Sequence, residues 1–101
     1  MRKKPAAAWF VYMIECEGGR IYTGIAVDVA ARFKKHCAGR GAAFTRINKP
    51  VRVLAAMKCR DQSDATRKEY ALKQLSRAEK LAWVKRRPWK GKRVGQREAG
   101  R

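Results

Sequence analysis

The feature that most constrains the fold is the segment WFVYMIEC, Trp9–Cys16, which is apolar at nearly every position. It is rich in aromatic and β-branched side chains, which favour strands. A strand with one face in water alternates apolar and polar residues, and this segment does not alternate. It therefore predicts a strand that is covered on both faces and lies in the middle of a sheet.

A second strand is predicted for Arg20–Ala26, which follows a Gly-Gly pair and returns along the first strand as a hairpin. The length of the connection decides where Tyr12 and Tyr22 point, because side chains alternate between the two faces of a sheet. A two-residue turn at the glycines, residues 18–19, would place the tyrosines on opposite faces. A three-residue loop over 18–20, or a bulge, would bring them to the same face. The hairpin residues are compatible with both.

The rest of the chain alternates helical segments with one further strand. Asp28 is a candidate N-cap for the first helix, and Ser76 with Glu79 has the form of a capping box at the start of the last helix. The order β-β-α-β-α-α predicts an α+β fold with a small three-stranded antiparallel sheet flanked by helices. The elements predicted after the hairpin are a helix over 29–38, a basic loop over 39–50, a strand over 51–59, a helix from Asp61 or Ser63 to about residue 75, and a last helix that stops before Pro88.

The length of 101 residues suits one domain with a single modest core. This domain is predicted to cover residues 8–87, after a basic segment over 1–7. The basic tail over 88–101 has too little apolar surface to fold alone and is expected to be flexible. Residues 2–14 resemble an export signal, but their small residues precede the apolar stretch instead of following it. We therefore expect a cytoplasmic protein, with export as the alternative.

The charge balance indicates the class of partner. Lys and Arg number 26 against 8 Asp and Glu, which gives a net charge of +18 and favours a polyanion, most of all nucleic acid. An acidic membrane surface is the alternative, although no apolar segment approaches the roughly 20 residues that span a bilayer. The candidate nucleic-acid-binding residues are Arg40, Arg46, Lys49, Lys73, Lys85, Arg86, Arg87, Lys90, Lys92 and Arg93.

The cysteines, Cys16, Cys37 and Cys59, are odd in number, widely spaced and without a C-x-x-C pair. This pattern supports neither a disulfide framework nor a zinc knuckle. It predicts buried, reduced thiols and no disulfide-linked partner.

Several polar residues have ordinary structural explanations when each is taken singly. Arg32 and His36 are neighbours on one helix face, where a histidine is commonly a packed amphipathic residue. Glu69 lies at the border of an apolar stripe and is placed for an i,i+4 ion pair with Lys73. The two hairpin tyrosines would be core aromatics with their hydroxyls at the rim.

Taken together, the string VYM…YTGIAVDVAARFKKH…E resembles the GIY-YIG nuclease superfamily. Tyr12 corresponds to the tyrosine of the first half-motif, and the Y-T-G at 22–24 corresponds to the second. Arg32 follows ten residues after that second tyrosine, as the family's arginine does, and His36 takes a position that carries Tyr or His. Glu69 matches the metal-binding glutamate in the middle of the following helix.

The resemblance covers residues 8 to about 85 and is strongest to the small stand-alone bacterial members. It also shares the Arg-x-x-x-His pattern with the branch that resolves DNA junctions. If the family site is present, the two tyrosines face it together, and the hairpin then needs an odd-length loop or a bulge.

The family function implied is a metal-dependent endonuclease that hydrolyses phosphodiester bonds in structured DNA, with a role in DNA repair. One Mg²⁺ or Mn²⁺ ion would bind Glu69 weakly without substrate. Arg32 would hold phosphate oxygens. Either the Tyr12 phenol or the His36 imidazole would act as the base. The implied catalytic residues are Tyr12, Tyr22, Arg32, His36 and Glu69.

Three departures from the family pattern leave other functions open. Phe10-Val11 stands for Gly-Ile in the first half-motif, and Thr23 stands for Ile in the second. Residues 77–86 lack the asparagine that many relatives carry in the last helix, and we expect no separate DNA-binding domain. The alternatives are a nucleic-acid-binding module with weak or lost catalysis and a basic protein associated with RNA or the ribosome.

Overall fold

The computed structural model describes residues 8–91. Its strands are β1, Trp9–Cys16; β2, Arg20–Ala26; and β3, Pro50–Cys59. They form one antiparallel sheet in the order β2-β1-β3, with Val11, Met13 and Ile14 of β1 fully buried. The predicted central position of the first strand is confirmed, because its apolar side chains on both faces require cover on both sides.

The hairpin between β1 and β2 decides the direction of the tyrosines. Its loop is Glu17–Gly19, in which both glycines have positive φ angles, 81° and 76°. The loop has the odd length and begins one residue earlier than the predicted three-residue loop. Tyr12 pairs with Gly24 and Tyr22 pairs with Ile14, so the tyrosine side chains lie on one face of the sheet.

Four helices accompany the sheet, and the predicted order β-β-α-β-α-α is confirmed with one addition. The helices are α1, Val29–Cys37; α2, Ala43–Ile47; α3, Gln62–Lys73; and α4, Arg77–Arg86. The added helix is α2, which lies inside the segment 39–50 that the sequence predicts as a loop. Asp28 and Asp61 cap α1 and α3, and Ser76 with Glu79 forms the predicted capping box.

Helices cover both faces of the sheet. On the face of Tyr12 and Ile14, α1 buries Phe33 completely. On the other face, Leu72 of α3 packs in one cluster with Met13, and α4 adds partly buried side chains to that cluster. The two core clusters lie on opposite sides of β1, as expected for a strand that is apolar on every side.

Pro88 and Trp89 continue the packed part of the chain beyond the predicted end of the domain at residue 87. Pro88 forms an isolated antiparallel β-bridge with Ala55, and the Trp89 backbone N–H donates to the Leu54 carbonyl at 3.0 Å. The Trp89 side chain also packs against the core cluster on the α1 face. A single large aromatic is too little for a core of its own but can extend an existing one. The predicted basic segment 1–7, and residues 92–101 of the basic tail predicted over 88–101, lie outside the described residues.

All three cysteines carry free thiols. Cys16 and Cys59 are buried as predicted, whereas Cys37 is exposed because it follows buried His36 directly and points about 100° away from it. Between residues 8 and 91, no helix has the length and apolar character needed to cross a membrane.

Thr23, the residue that replaces the family's isoleucine, is buried opposite Met13, and its Oγ1 has no hydrogen-bond partner among residues 8–91. A buried hydroxyl without a partner costs about 1–3 kcal/mol. Thr23→Val, which keeps the shape of the side chain, is expected to raise the free energy of unfolding by about 1 kcal/mol in urea titrations. Thr66→Val, at an exposed site on α3, is the control and should change little. A loss of stability in Thr23→Val would contradict the interpretation.

Candidate functional site

The two hairpin tyrosines form the floor of the site. Tyr12 is buried and Tyr22 partly buried, and their ring centroids lie 6.4 Å apart. Gly24 makes this arrangement possible, because a Cβ there would lie 2.7 Å from the Tyr12 hydroxyl and 2.9 Å from Cε2 of Tyr22. The glycine of the second half-motif is therefore required by the close approach of both rings.

His36 connects the tyrosine pair to α2 through two hydrogen bonds. Its Nε2 lies 3.0 Å from the Tyr12 hydroxyl, and its Nδ1 lies 2.8 Å from Oγ1 of Thr45. The Thr45 hydroxyl donates its one proton to the carbonyl of Ala42 at 2.9 Å. A hydroxyl has a single hydrogen to donate, so Oγ1 must accept a hydrogen bond from Nδ1–H of His36.

This hydrogen-bond pattern determines the tautomer of His36. Burial, together with the positive charge of Arg32, lowers the pKa of His36 and favours the neutral ring. A neutral ring with its proton on Nδ1 leaves Nε2 as an acceptor, so the Tyr12 hydroxyl donates to it. The phenol proton of Tyr12 thus points at a base that is already unprotonated.

Sequence reasoning identified His36 but missed the residues that hold it. Thr45 lies in a segment predicted as loop, and its spacing from His36 matches no motif. Gly41 is the second omission, because any Cβ there would collide with the His36 ring. The one signal in the sequence was the segment GRGAAFT, residues 39–45, which resembles the corresponding loop of the family and contains both residues.

Arg32 and Glu69 act on the tyrosines through their charges. Burial raises the pKa of Tyr12 most, Tyr22 and Glu69 raise it further, and Arg32 lowers it. Burial also raises the pKa of Tyr22. The negative charge of Glu69 raises this pKa further, whereas the positive charges of Lys73 and Arg32 lower it. All five predicted site residues therefore contact one another or lie within electrostatic range. A phenolate that acts as a base at neutral pH needs a lowered pKa, whereas the pKa of Tyr12 is raised.

Glu69 offers the site a single carboxylate. It lies on α3, its side chain is 22% exposed, and its Oε2 forms the expected i,i+4 ion pair with Lys73 at 3.2 Å. In the described part of the chain, no three His, Cys, Asp or Glu side chains are grouped as metal ligands. One partly exposed carboxylate fits an ion such as Mg²⁺, which keeps waters and binds mainly with a substrate phosphate.

The candidate phosphate-binding residues near α2 lie close to this site. Arg46 and Lys49 are exposed and line, together with His36, a cleft of about 380 Å³. Arg40 is exposed in the turn between α1 and α2. Arg46 and Lys49 thus lie at the cleft that His36 lines, and Arg40 lies in the connection before α2.

Of the remaining candidates, Lys73 lies in the site, paired with Glu69, and the others lie elsewhere. Lys85 and Arg86 are exposed at the end of α4, on the other side of the sheet. Arg87 packs its guanidinium 5.5 Å from the Trp83 ring centroid, and its Nε contacts Sδ of Met57 at 3.1 Å. Lys90 is exposed, and Lys92 and Arg93 lie outside the described residues.

His36 is expected to stay neutral below its ordinary pKa of 6.5, because its folded-state pKa is lowered. Between the folded value and 6.5 the unfolded chain binds more protons, so the free energy of unfolding falls as pH drops through this window. His36 is the single histidine of the chain, so ¹⁵N NMR of its ring reads both protonation and tautomer. Titration at or above 6.5 would contradict the expected direction.

Thr45→Val tests the same assignment, since it removes the acceptor of the Nδ1 proton while keeping the side-chain shape. The ring is expected to lose its preference for the Nδ1–H tautomer, and stability should fall by about 1–2 kcal/mol. Thr45→Ser keeps the hydroxyl and should restore the wild-type ring signals. An unchanged tautomer in Thr45→Val would show that Thr45 does not select it.

Comparison with known proteins agrees with this geometry. Residues 8–82 match the family of the GIY-YIG catalytic domain. A UPF0213 protein from Cupriavidus pinatubonensis is 49% identical over 75 residues, which cover 74% of this chain and 83% of that protein. One from Xanthomonas axonopodis pv. citri is 45% identical over 80 residues, covering 79% and 78% of the two chains.

A solved structure shares the fold as well. The solution NMR structure of a UPF0213 protein from Bacillus halodurans has a TM-score of 0.50 and 41% sequence identity, and the match covers 77% of this chain and 83% of that one. The family match spans the sheet, α1, α2 and α3, including every residue of the candidate site. The chain therefore belongs to the GIY-YIG family of nuclease-type domains, together with bacterial UPF0213 proteins.

Proposed function

We propose that the protein is a metal-dependent endonuclease that acts in the cytoplasm and hydrolyses phosphodiester bonds in structured DNA. The observation that carries this proposal is the hydrogen-bonded chain from Tyr12 through His36 to Thr45, buried beside Tyr22. A buried polar chain is costly unless every member is satisfied. A surface that only binds phosphates needs exposed cations and has no use for such a chain.

The chain supplies a proton path for the attacking water. A buried phenol with a raised pKa does not ionise in advance at neutral pH. Tyr12 instead takes a proton from the water while it gives its own to Nε2 of His36. The resulting hydroxide attacks phosphorus, the bond to the leaving oxygen breaks, and that oxygen takes a proton from solvent. His36 then returns its extra proton to solvent through Tyr12, which restores the neutral ring. Removal of the proton by His36 directly is the alternative assignment of the base.

Arg32 and Tyr22 are assigned to the phosphate. A guanidinium forks onto two phosphate oxygens and balances the charge that builds up during attack. The phenol of Tyr22 lies beside the Tyr12 ring and donates a further hydrogen bond to the same group. Both residues would thus align the phosphorus with the water at Tyr12.

Glu69 is assigned as the protein ligand of one Mg²⁺ or Mn²⁺ ion. When bound, such an ion withdraws charge from the phosphate oxygens and the leaving group. Lys73 already pairs with the carboxylate, so the ion would compete with an ammonium and bind weakly in free protein. Substrate phosphate would supply the missing oxygen ligands.

Binding to DNA is assigned to the basic surface around Arg40, Arg46 and Lys49 and to the C-terminal cations. Removing residues 92–101, which contain four Lys or Arg, is expected to weaken binding. The salt dependence of binding should flatten by roughly 0.9 log unit per lost phosphate contact. The truncation keeps Trp89, so the melting temperature should not change. An unchanged slope would show that this segment lies outside the footprint.

The direct test is incubation of labelled duplex, nicked, flap, fork and single-stranded DNA with Mg²⁺, Mn²⁺ or EDTA. Cleavage of at least one substrate with metal and of none with EDTA is expected. Lack of cleavage of any substrate with either metal would favour the second candidate, a nucleic-acid-binding module without catalysis. The departures at Phe10-Val11 and Thr23, and the missing asparagine in α4, favour that candidate. An RNA panel run in parallel tests association with RNA.

A further inference from the structure

Two apolar side chains of α2 remain exposed beside the site. Phe44 is 38% exposed and Ile47 is 79% exposed, and their spacing places them on one side of the short helix. Thr45, between them, points the other way and is buried against His36. The inner side of α2 thus holds the histidine, and its outer side presents an apolar surface to solvent.

The Phe44 ring continues the row of site rings outward. Its centroid lies 5.9 Å from that of Tyr22, with the planes inclined by 33°. Tyr22 in turn packs edge-to-face with His36, with ring centroids 5.0 Å apart. Phe44 is therefore the exposed end of a set of packed rings whose inner end is the candidate site.

Charge around this surface argues against a second copy of the chain as its occupant. Arg46 and Lys49 flank Ile47 in sequence and are exposed, and the chain carries a net charge of +18. Two copies docked through α2 would bring these like charges together. A partner with flat apolar faces and a negatively charged backbone matches both the rings and the cations.

We propose that Phe44 and Ile47 form a stacking surface for the base of an unpaired nucleotide next to the phosphate at Tyr22. The proposal rests on the proposed function for the position of that phosphate. In a continuous duplex the base faces are covered by neighbouring pairs and cannot reach a side chain. In single-stranded DNA they are free, and stacking on an exposed aromatic tolerates any base sequence. The substrate class is thus DNA with an unpaired nucleotide at the cleaved position.

Binding in EDTA tests the surface without requiring catalysis. The probes are a short single strand with a central 2-aminopurine and a blunt duplex of the same sequence, titrated by fluorescence anisotropy. Phe44→Ala should weaken single-strand binding about tenfold, equivalent to about 1.4 kcal/mol, and duplex binding less than twofold. Wild type should quench 2-aminopurine emission, and Phe44→Ala should not.

Two further variants control for damage to the fold. Phe44→Trp keeps an aromatic face and should retain affinity and quenching, which a general packing defect would not allow. Leu81→Ala removes a side chain of similar exposure, 41%, from α4 on the opposite face, and should leave both probes unaffected. If Phe44→Ala does not fold, Ile47→Ala at the more exposed position replaces it as the test. It should likewise weaken binding to the single strand more than binding to the duplex.

The proposal is overturned by equal losses on both probes, by no loss on either, or by absent quenching in wild type. A dimer that Phe44→Ala dissociates in sedimentation experiments would also overturn it and assign the surface to self-association. Failure of the proposed function would differ from these results. Selective single-strand binding through Phe44 without any cleavage would leave the stacking surface in place and remove only the catalytic assignment.

Discussion

Glu69→Ala is expected to abolish Mg²⁺- or Mn²⁺-dependent cleavage of DNA. Within residues 8–91, Glu69 is the carboxylate whose charge acts on both Tyr12 and Tyr22, and no cluster of metal-ligating side chains offers a replacement. Loss of groups outside the first coordination shell already costs roughly 10–100-fold in metal affinity or activity, so loss of the ligand itself should cost more. Initial rates of cleavage of the best substrate, over a range of metal concentrations, measure the effect.

Binding and stability separate this outcome from a folding defect. Affinity for DNA in EDTA should stay the same or rise, because the variant removes a negative charge from a basic surface. The free energy of unfolding should change by at most about 0.5 kcal/mol, as for a partly exposed residue whose ion-pair partner is an exposed lysine. Glu15→Ala, which breaks the ion pair with Arg52 on another part of the sheet, is the matched control and should cut normally. Wild-type cleavage by Glu69→Ala would remove the metal assignment.

Tyr12→Phe is expected to reduce cleavage by about 10²–10⁴-fold, the usual contribution of a positioned acid or base. The variant deletes one oxygen and with it the donor to Nε2 of His36. DNA binding in EDTA should not change, since the phosphate is assigned to Arg32 and Tyr22 and not to the Tyr12 hydroxyl. Stability should fall by about 1–2 kcal/mol, because a buried ring nitrogen loses its partner. Single-turnover cleavage and urea titrations give the two quantities separately.

Tyr70→Phe is the control for Tyr12→Phe, because Tyr70 is 70% exposed on α3. It should alter neither cleavage nor stability. His36→Ala distinguishes the two assignments of the base. If Tyr12→Phe cuts normally and His36→Ala does not, the histidine acts on the water directly. If both variants cut normally, the proton path is wrong.

Much of the fold was predictable from local pattern. Trp9–Cys16 needs cover on both faces wherever it is placed, and this requirement alone puts it in the middle of the sheet. Asp28 and Ser76 begin helices because each accepts a backbone N–H three residues ahead of it. Interactions of this range depend on sequence neighbours, so they can be predicted without tertiary contacts.

The candidate site was predictable as a set of residues but not as an arrangement. Taken singly, His36 resembles an ordinary packed histidine and Glu69 resembles one half of a surface ion pair. Their spacing from the two tyrosines and Arg32 matches the family pattern, and this match indicated a shared site. The roles of the five residues remain predictions. The contact between Tyr12 and His36 joins residues 24 positions apart and exists because α1 packs on the tyrosine face of β1.

Tertiary packing alone decided three features. The register of β2 determines whether Tyr12 and Tyr22 share a face, and the hairpin residues permitted either result. The helix that carries Thr45 has five residues, too few to show a helical period in sequence. The pKa of Tyr12 moves upward and that of His36 downward chiefly because burial excludes water from both groups. Desolvation belongs to the surroundings of a side chain, and these surroundings form only when β1, α1 and α2 pack together.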